Sequence, residues 1–305
     1  MTNDGDRARW FGRAKRLTTR KKLAEIFWDT VYVGGWPSRL ARPLGLQGRF
    51  GVAEHRFALP GRAAGRPPLR VAFASDFHAS PATAPSLVAD ACRALADARP
   101  DLLLLGGDFV SFHARHVDAL ARRLAAIEAP LGKLAVLGNH DLVGDDAYIV
   151  RRLAEAGVRT LVNANVRLPA PHDDVWVCGL DDPTQGHPDA DAAFGGIDGA
   201  AGGAGAGGVR LLLVHSPDGL ATAGARLWAV GFCGHVHGGQ FLLPGGRILV
   251  THKTPYSKRY VRGGVVEVPA PGGGTRPLLV SRGIGQGNLP LRHGADPQVH
   301  VVTLG

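Results

Sequence analysis

Short clusters of aspartate, histidine and asparagine recur along the 305-residue chain, each directly after an apolar run. In chain order they are Asp76-Phe77-His78, Gly106-Gly107-Asp108, Gly138-Asn139-His140-Asp141, His215 and Gly234-His235-Val236-His237-Gly238. Carboxylate, amide and imidazole donors without a thiolate suit Mn²⁺, Fe or Zn²⁺ rather than Ca²⁺ or a structural zinc. Seven donors are too many for one tetrahedral ion but suffice for two ions that share a carboxylate. The clusters therefore predict a dinuclear metal site that activates water and binds a phosphoryl group.

The apolar runs predict strands, and segments with a helical pattern separate them. Strands are expected at 69–75, 101–105, 133–137, 158–168, 174–180, 209–214 and 227–233, and helices near 84–98, 115–128, 145–156 and 217–224, before a β-rich tail. This alternation predicts an α/β fold with helices on the outer faces of the sheet. Because ligands in such folds bind at the carboxyl ends of strands, the clusters should converge in space.

Glycine and proline mark two places where regular structure should stop. The stretch 60–68 ends a basic segment, so we divide the chain into a basic amphipathic N-terminal segment, 1–66, and a main domain, 67–305. Residues 195–208 hold 8 Gly and 4 Ala. This composition predicts a flexible loop.

The order Asp-x-His, Gly-Asp, Gly-Asn-His-Asp, His and Gly-His-x-His resembles that of the calcineurin-like metallophosphoesterase family, over roughly residues 69–305. The resemblance implies a four-layer αββα sandwich in which two mixed sheets are flanked by helices. The implied ligands of the first ion are Asp76, His78 and His237. Those of the second ion are Asn139, His215 and His235, and Asp108 bridges the two.

By the same resemblance, the activity is hydrolysis of a phosphomonoester, phosphodiester or diphosphate bond. A metal-bridging hydroxide attacks phosphorus in line with the leaving oxygen. His140 faces the leaving group as a general acid or a positive charge, and Asp141 orients its imidazole. The implied cofactors are two divalent ions, Mn²⁺ first, with Fe or Zn²⁺ as alternatives.

Further motifs resemble the YkuE/YaeI-like bacterial subgroup of that family. They are Gly179-Leu180-Asp181-Asp182, His215-Ser216-Pro217-Asp218, Ser257-Lys258-Arg259-Tyr260 and Ser281-Arg282-Gly283-Ile284-Gly285. Related enzymes of the lipid A pathway cleave a UDP-linked diacylglucosamine, so the expected substrate is a phosphorylated small molecule or a lipid-linked one. The chain departs from the family after Asp108, where Phe109-Val110-Ser111 stands in place of a second aspartate that the family often has.

Taken singly, the motif residues have structural alternatives. Asp76 and Asp108 could cap helices, and Asn139 could belong to a turn. The complete set in family order favours the metal site over these alternatives. Cys233 is expected to be a buried thiol at a strand end rather than a ligand.

Other polar residues near the motifs keep two interpretations. Arg282 and Arg292 either bind a phosphate or diphosphate or have a solvent-exposed or ion-paired structural role. Asp181 and Asp182 either orient site residues or form a turn. His113 and His116 either line the mouth of the site or are exposed residues that open a helix, and the second interpretation is preferred.

Composition excludes several classes of protein. No uncharged apolar run approaches the roughly 18 residues that a membrane span needs. Three scattered cysteines exclude a disulfide framework and suit a reducing compartment such as the cytoplasm. The net charge of the chain is +9, and residues 1–70 hold 15 Lys/Arg against 5 Asp/Glu, so residues 71–305 carry −1.

The basic N-terminal segment mixes cations with bulky aromatic residues such as Phe27 and Trp28 on a predicted helix. Such a segment either lies on an anionic membrane surface through residues 1–40 or packs on the main domain. Glu25 and Asp29 interrupt its apolar stretch, so a secretory signal is not expected. The expected location is the cytoplasm, and the membrane alternative places the protein peripherally on the inner membrane face.

Two rival functions stay open. A nuclease of the same fold would explain the basic segment, but the main domain is nearly neutral, whereas a nucleic-acid groove is normally basic. Nucleic acid is therefore not an expected partner, and a monomer is expected. A non-catalytic metal-binding scaffold is the other rival, although a scaffold has no need for His140.

Overall fold

The computed structural model describes residues 9, 11–62, 65–197, 208–248, 253–287 and 289–305. Its helices are α1 (Thr19–Val31), α2 (Trp36–Ala41), α3 (Pro85–Asp97), α4 (Val117–Ala125), α5 (Asn139–Val143), α6 (Asp146–Glu155), α7 (Ala190–Phe194), α8 (Gly219–Ala223) and α9 (Pro255–Arg259). Its strands are β1 (Gly51–Phe57), β2 (Leu69–Ala74), β3 (Leu102–Leu105), β4 (Lys133–Ala135), β5 (Val158–Thr160), β6 (Ala164–Arg167), β7 (Val175–Gly179), β8 (Val209–Leu213), β9 (Val230–Cys233), β10 (Leu242–Leu243), β11 (Arg247–Ile248), β12 (Gly264–Pro269), β13 (Thr275–Val280) and β14 (Gln298–Leu304).

The strands form two six-stranded mixed sheets and one small hairpin, β10–β11. In the first sheet the order is β1-β14-β2-β3-β4-β5, and β2 to β5 run parallel. In the second sheet the order is β12-β13-β9-β8-β7-β6, and β7, β8, β9 and β13 run parallel. The parallel strands of each sheet thus end at a common edge.

The apolar residues divide between the faces of the sheets because strand side chains alternate. In β2, Val71 and Phe73 pack between the two sheets, whereas Ala72 and Ala74 pack against the helices outside the first sheet. Helices α3, α4 and α6 cover that outer face, and α7 and α8 cover the outer face of the second sheet. The predicted four-layer αββα sandwich is confirmed.

Most predicted elements lie within a few residues of their observed bounds, but β1 was not predicted. This strand pairs in parallel with β14 at the edge of the first sheet, and its side chains are exposed or half-buried. An exposed edge strand rich in polar residues carries little periodic signal. The division of the chain between residues 66 and 67 stays a prediction. Strand β1 precedes this boundary but belongs to the first sheet of the main domain. Residues 198–207 of the predicted loop lie outside the described residues.

The N-terminal segment packs on the edge where the parallel strands end. The Gly12 and Ala14 amides donate to carbonyls of α5, and Trp28 and Tyr32 pack on Phe112. Among the residues with described coordinates, no helix combines the length and the apolar character needed to cross a bilayer.

Candidate metal centre

The predicted ligands lie at the carboxyl ends of strands in both sheets. In the first sheet, Asp76 and His78 follow β2, Asp108 follows β3, and Asn139 begins α5 after β4. In the second sheet, His215 follows β8, and both His235 and His237 follow β9. We call this set of seven residues the metal edge. Its members come from distant parts of the chain, and the two sheets bring them together.

Three overlapping groups of donor atoms at this edge each fit within 4.8 Å. The groups are Asp76 with His78 and His237, Asp108 with His215 and His235, and His78 with Asp108 and His140. The amide oxygen of Asn139 lies 3.2 Å from Nε2 of His215. All seven predicted ligands are therefore neighbours, and the predicted leaving-group residue His140 is beside them.

Asp108 lies at the centre of the metal edge. Its Oδ2 is 3.4 Å from Nε2 of His78 and 3.3 Å from Nε2 of His215. The two imidazoles belong to different groups, so this carboxylate oxygen adjoins both. Nε2 of His78 also lies 3.0 Å from Nε2 of His237. Buried carboxylate and imidazole donors that converge in this way fit two divalent cations sharing one carboxylate.

The backbone is strained at five of the seven residues. Asp76, His78, Asp108, His235 and His237 have φ between 44° and 71°, the left-handed region that residues with side chains rarely adopt. Such conformations cost about 1–3 kcal/mol each and persist where the surrounding structure imposes them. This strain points the donors back over the strand ends.

Gly138 shows how tightly the loops are packed. A Cβ atom there would lie 2.2 Å from Oδ1 and 2.5 Å from the amide nitrogen of Asp108. Only glycine allows the loop after β4 to approach Asp108 so closely.

Hydrogen bonds outside the metal edge orient its imidazoles. The Nδ1–H of His215 donates to the Gly106 carbonyl at 2.8 Å. His78 donates through Nδ1 to Oγ of Ser111 at 2.8 Å, because that hydroxyl donates its own proton to the Gln286 carbonyl. In both rings the lone pair is left on Nε2, which faces the centre, as a metal-binding histidine requires.

Arg292 supports the edge from behind. It is 3% exposed, and it donates to the carbonyls of Gly285, Ala295 and Arg282. Its Nη2 also lies 3.1 Å from Nδ1 of His237, so the guanidinium fixes the position of that ring at the metal edge. Hydrogen bonds to backbone carbonyls give Arg292 a structural role, and its contact with a phosphate stays a prediction.

The pKa values reflect dense burial of charge. Burial alone would raise the pKa of Asp108, but the neighbouring His215, His140 and His78 outweigh it and lower that pKa well below the usual range. Burial lowers the pKa of His78 to about 3. Burial also raises the pKa of Asp76, and the charge of Asp108 acts in the same direction. Buried carboxylates whose negative charges repel each other in this way favour a bound cation.

The contact predicted between Asp141 and the His140 imidazole is not made. The Asp141 carboxylate instead accepts hydrogen bonds from the amides of Phe109 at 2.8 Å and Gly138 at 2.9 Å. The Nδ1–H of His140 donates to the Ser111 carbonyl at 3.0 Å. The prediction was wrong because Asp141 points toward the backbone of the loops after β3 and β4, and it joins them.

Three further predictions, for Cys233, Asp182 and His113, have different outcomes. Cys233 is fully buried at the end of β9, as expected. Asp182 accepts hydrogen bonds from Thr184 and Gln185, which confirms the turn. His113 does begin a short helical turn, but it is buried rather than exposed, because the N-terminal segment packs over this region.

Sequence reasoning missed two acidic residues of α1. Asp29 pairs with His116 at 2.6 Å and with Arg115 at 3.3 Å. Glu25, one turn earlier, is 6% exposed, and its Oε2 has no hydrogen-bond partner among the described residues. Burial raises the pKa of Glu25, whereas the charge of His140 opposes this rise. The sequence signal was the interruption of an apolar stretch by these two carboxylates.

Comparisons with known proteins are consistent with this geometry. The family model for calcineurin-like phosphoesterases matches residues 69–192. The uncharacterized metallophosphoesterase YkuE of Bacillus subtilis is 30% identical over 212 residues, 68% of this chain and 69% of that protein. The phosphodiesterase YaeI of Escherichia coli is 29% identical over 266 residues, 84% of this chain and 89% of that protein. UDP-2,3-diacylglucosamine pyrophosphatase LpxG of Chlamydia trachomatis is 31% identical over 117 residues, 38% of this chain and 34% of that protein.

Proposed function

Because the chain belongs to the calcineurin-like phosphoesterase family and is therefore a hydrolase of phosphoester bonds, we propose that two divalent ions at the metal edge, Mn²⁺ first, serve this hydrolysis. The first ion is assigned to Asp76, His78 and His237, the second to Asn139, His215 and His235, and Asp108 to both. The observation that carries the assignment is the position of Asp108 Oδ2 between His78 and His215. When bound, such ions lower the pKa of water and neutralise phosphoryl oxygens.

The protein groups around the metal edge have separate tasks. His140 donates its Nδ1–H to the Ser111 carbonyl, so Nε2 is the ring atom left for the leaving oxygen of the substrate; in the imidazolium form, with both nitrogens protonated, Nε2–H can give that oxygen a proton and the ring becomes neutral. The amide of His140 also donates to Oδ1 of Asp108 at 2.8 Å, which fixes the imidazole relative to the shared carboxylate. Asp141 holds the two loops that carry these residues.

We propose that the substrate is a phosphodiester or a diphosphate, and more specifically one that is linked to a lipid. The relationship to LpxG, which by its name cleaves a lipid-linked diphosphate, supports the lipid-linked substrate. A nuclease of the same fold is the second candidate, favoured by the basic N-terminal segment but not by the nearly neutral main domain. A scaffold without turnover would leave the orientation of His140 unexplained.

The outward face of the N-terminal helices supports a membrane-bound substrate. Large apolar side chains lie exposed along it: Leu23, Phe27, Val31, Val33, Trp36, Leu40 and Leu44. We call this set the apolar ridge. Phe27 is 55% exposed and Trp36 is 50% exposed. Cations of the same segment, including Arg20, Lys21 and Lys22, adjoin the ridge in sequence. Apolar and cationic groups on one helix are typical of a segment that lies in an anionic lipid interface.

The opposite face of α1 packs beside the metal edge. Glu25 and Asp29 are buried there, and the preceding residues hydrogen-bond to α5. Docking of the apolar ridge on a membrane would therefore bring the metal edge close to lipid headgroups. The proposed location is the inner face of the cytoplasmic membrane.

Turnover is the test of the main proposal. The full chain, stripped with a chelator and reloaded with Mn²⁺, is assayed on monoesters, diesters, a UDP-linked lipid and single-stranded DNA. We expect metal-dependent release of phosphate or phosphomonoester from a diester or diphosphate. Bound metal without turnover on any substrate would establish the scaffold instead, and preferential cleavage of DNA would establish the nuclease.

Vesicle binding tests the membrane proposal separately. The paired variant Phe27→Ser/Trp36→Ser should lose most of its co-sedimentation with anionic vesicles. The control variant Val265→Ser, which removes an apolar side chain exposed on β12, should sediment like the wild type. Equal sedimentation of all three proteins, or none by the wild type, would leave the ridge without a membrane role.

A further inference from the structure

A cavity lies at the edge of the sandwich opposite the metal edge. It has a volume of about 580 Å³, and Val209 at the start of β8, Ala229 just before β9 and Thr275 at the start of β13 contribute to its wall. We call it the basal cavity. The five residues of β8 separate it from the metal edge, a distance of about 16 Å at about 3.3 Å per residue. A ligand here would not compete with the phosphoester at the metals.

The basal cavity contains a buried guanidinium without an acidic partner. Arg276 is 7% exposed, and its guanidinium stacks 3.7 Å above the ring of Trp228. Its Nη1 donates to the Arg226 carbonyl at 2.7 Å. Among the described residues, no carboxylate forms an ion pair with it, and burial alone lowers its pKa to about 10.

One edge of this guanidinium is left without partners. Nε is buried and has no hydrogen-bond partner, and Nη2 makes no hydrogen bond to a described residue. Nε and Nη2 point the same way, and together they form the two-donor edge that arginine uses to bind two oxygens of one oxyanion. Nε1 of Trp228, which is 5% exposed, is a further buried donor that has no hydrogen-bond partner among the described residues.

The charge around the cavity favours an anion. Among the described lining residues, Arg56 and the buried Arg276 are cations, and Glu267 is an exposed carboxylate. Burying a guanidinium without a partner destabilises the fold, because the charge loses its hydration. A bound anion would offset this loss. The stacking on Trp228 holds the guanidinium plane in place, so that little side-chain entropy is lost when an oxyanion binds.

We propose that the basal cavity is a binding site for a doubly charged oxyanion of the phosphate class, with Arg276 as its principal contact. The phosphate can be free, or it can be the phosphomonoester headgroup of a lipid. This inference does not rest on the proposed function of the metal edge, because the two sites share no residue.

The stoichiometry of phosphate binding tests the proposal. Equilibrium dialysis of the Mn²⁺-loaded full chain with labelled inorganic phosphate should give one phosphate more per chain for the wild type than for Arg276→Gln. The control Arg226→Gln removes a neighbouring cation outside the cavity and should keep the wild-type number. The difference of one is expected whether or not phosphate also binds at the metals, so failure of the metal assignment would not mimic failure here.

Two further variants examine the geometry of binding. Arg276→Lys keeps the charge but loses the two-donor edge, so the dissociation constant for phosphate should rise at least tenfold. Trp228→Phe keeps an aromatic ring under the guanidinium, and binding should weaken only about fivefold, the effect of one lost hydrogen bond. Thermal unfolding without phosphate verifies that each variant is folded.

The source of the phosphate is decided with vesicles. If the ligand is a lipid headgroup, Arg276→Gln should reduce co-sedimentation with vesicles containing phosphatidic acid in addition to lowering the number of bound phosphates. If the ligand is free phosphate, the dialysis difference appears and the vesicles do not discriminate. Equal binding of both probes by the wild type and Arg276→Gln would overturn the proposal.

Discussion

At the metal edge, polar side chains face inward and the backbone is strained, whereas on α1 and α2 apolar side chains face outward and stay exposed. The metal edge is built from loops that follow buried parallel strands, and hydrogen bonds to the backbone hold its donors. The N-terminal helix α1 is attached by side-chain contacts such as the Asp29–His116 pair. The difference separates two roles: the loops hold the donors of the metal edge in fixed positions, and the exposed apolar side chains of the helices are the part that we propose to contact a membrane.

The largest effect is expected from a substitution that displaces a loop of the metal edge. Gly138→Ala would place a methyl group against Asp108, so the loop must move away from the shared carboxylate. We expect loss of metal, turnover lower by about 10⁴-fold or more, and unfolding that is easier by about 1–3 kcal/mol. Metal analysis and steady-state kinetics check this.

The neighbouring Gly144 supplies the control for that substitution. Its added Cβ would meet no atom closer than the Phe112 carbonyl oxygen at 3.4 Å, an ordinary contact. Gly144→Ala should therefore keep its metals and most of its turnover. If the two variants have the same metal content and turnover, the close packing at Gly138 is not needed for the metal edge.

His140→Ala should separate chemistry from metal binding. The side chain reaches the edge of the site, but it is not among the seven assigned ligands, so both metals should stay. Turnover should fall by about 10²–10⁴-fold, and most for poor leaving groups, because a positioned acid contributes about that much. Loss of a metal from this variant would make His140 a ligand and contradict its assigned role.

The smallest effect is expected in the N-terminal segment. Burial alone would raise the pKa of Asp181, but its bonds to Arg13 and to the His187 amide lower it. Their contribution is therefore complete above the ordinary aspartate pKa and is lost as the pH falls through the lowered one. At neutral pH, Arg13→Gln should lower the free energy needed to detach the N-terminal segment from the main domain by about 1 kcal/mol. The effect is small because Arg13 is partly exposed.

Hydrogen exchange measures this loosening directly. The amide of Ala14, which donates to the Leu142 carbonyl, should exchange about fivefold faster in Arg13→Gln. The matched control is Arg16→Gln, because the Arg16 side chain is exposed and makes no hydrogen bond to a described residue. A similar increase in both variants would show that charge alone, rather than this ion pair, holds the segment.

The same contrast explains what the sequence could predict. The donors of the metal edge follow continuous apolar runs and often glycine, so their place at strand ends was readable from local pattern. Asp141 was misassigned because two of its partners, the amides of Phe109 and Val110, belong to a loop about 30 residues away, which no local pattern reveals. The exposed strand β1 and the buried carboxylates Glu25 and Asp29 of α1 likewise depend on tertiary contacts.

The sharing of Asp108 between two ions is the central claim, and metal counting tests it most directly. The wild type, saturated with Mn²⁺ and freed of excess ion, should hold two metals per chain by elemental analysis. Asp108→Ala should hold at most one, because two cations without their shared carboxylate repel each other in a buried site. The control Asp90→Ala, which changes an aspartate paired on the surface with Arg42 and Arg93, should hold two. Two tightly held metals in Asp108→Ala would contradict the shared-carboxylate centre.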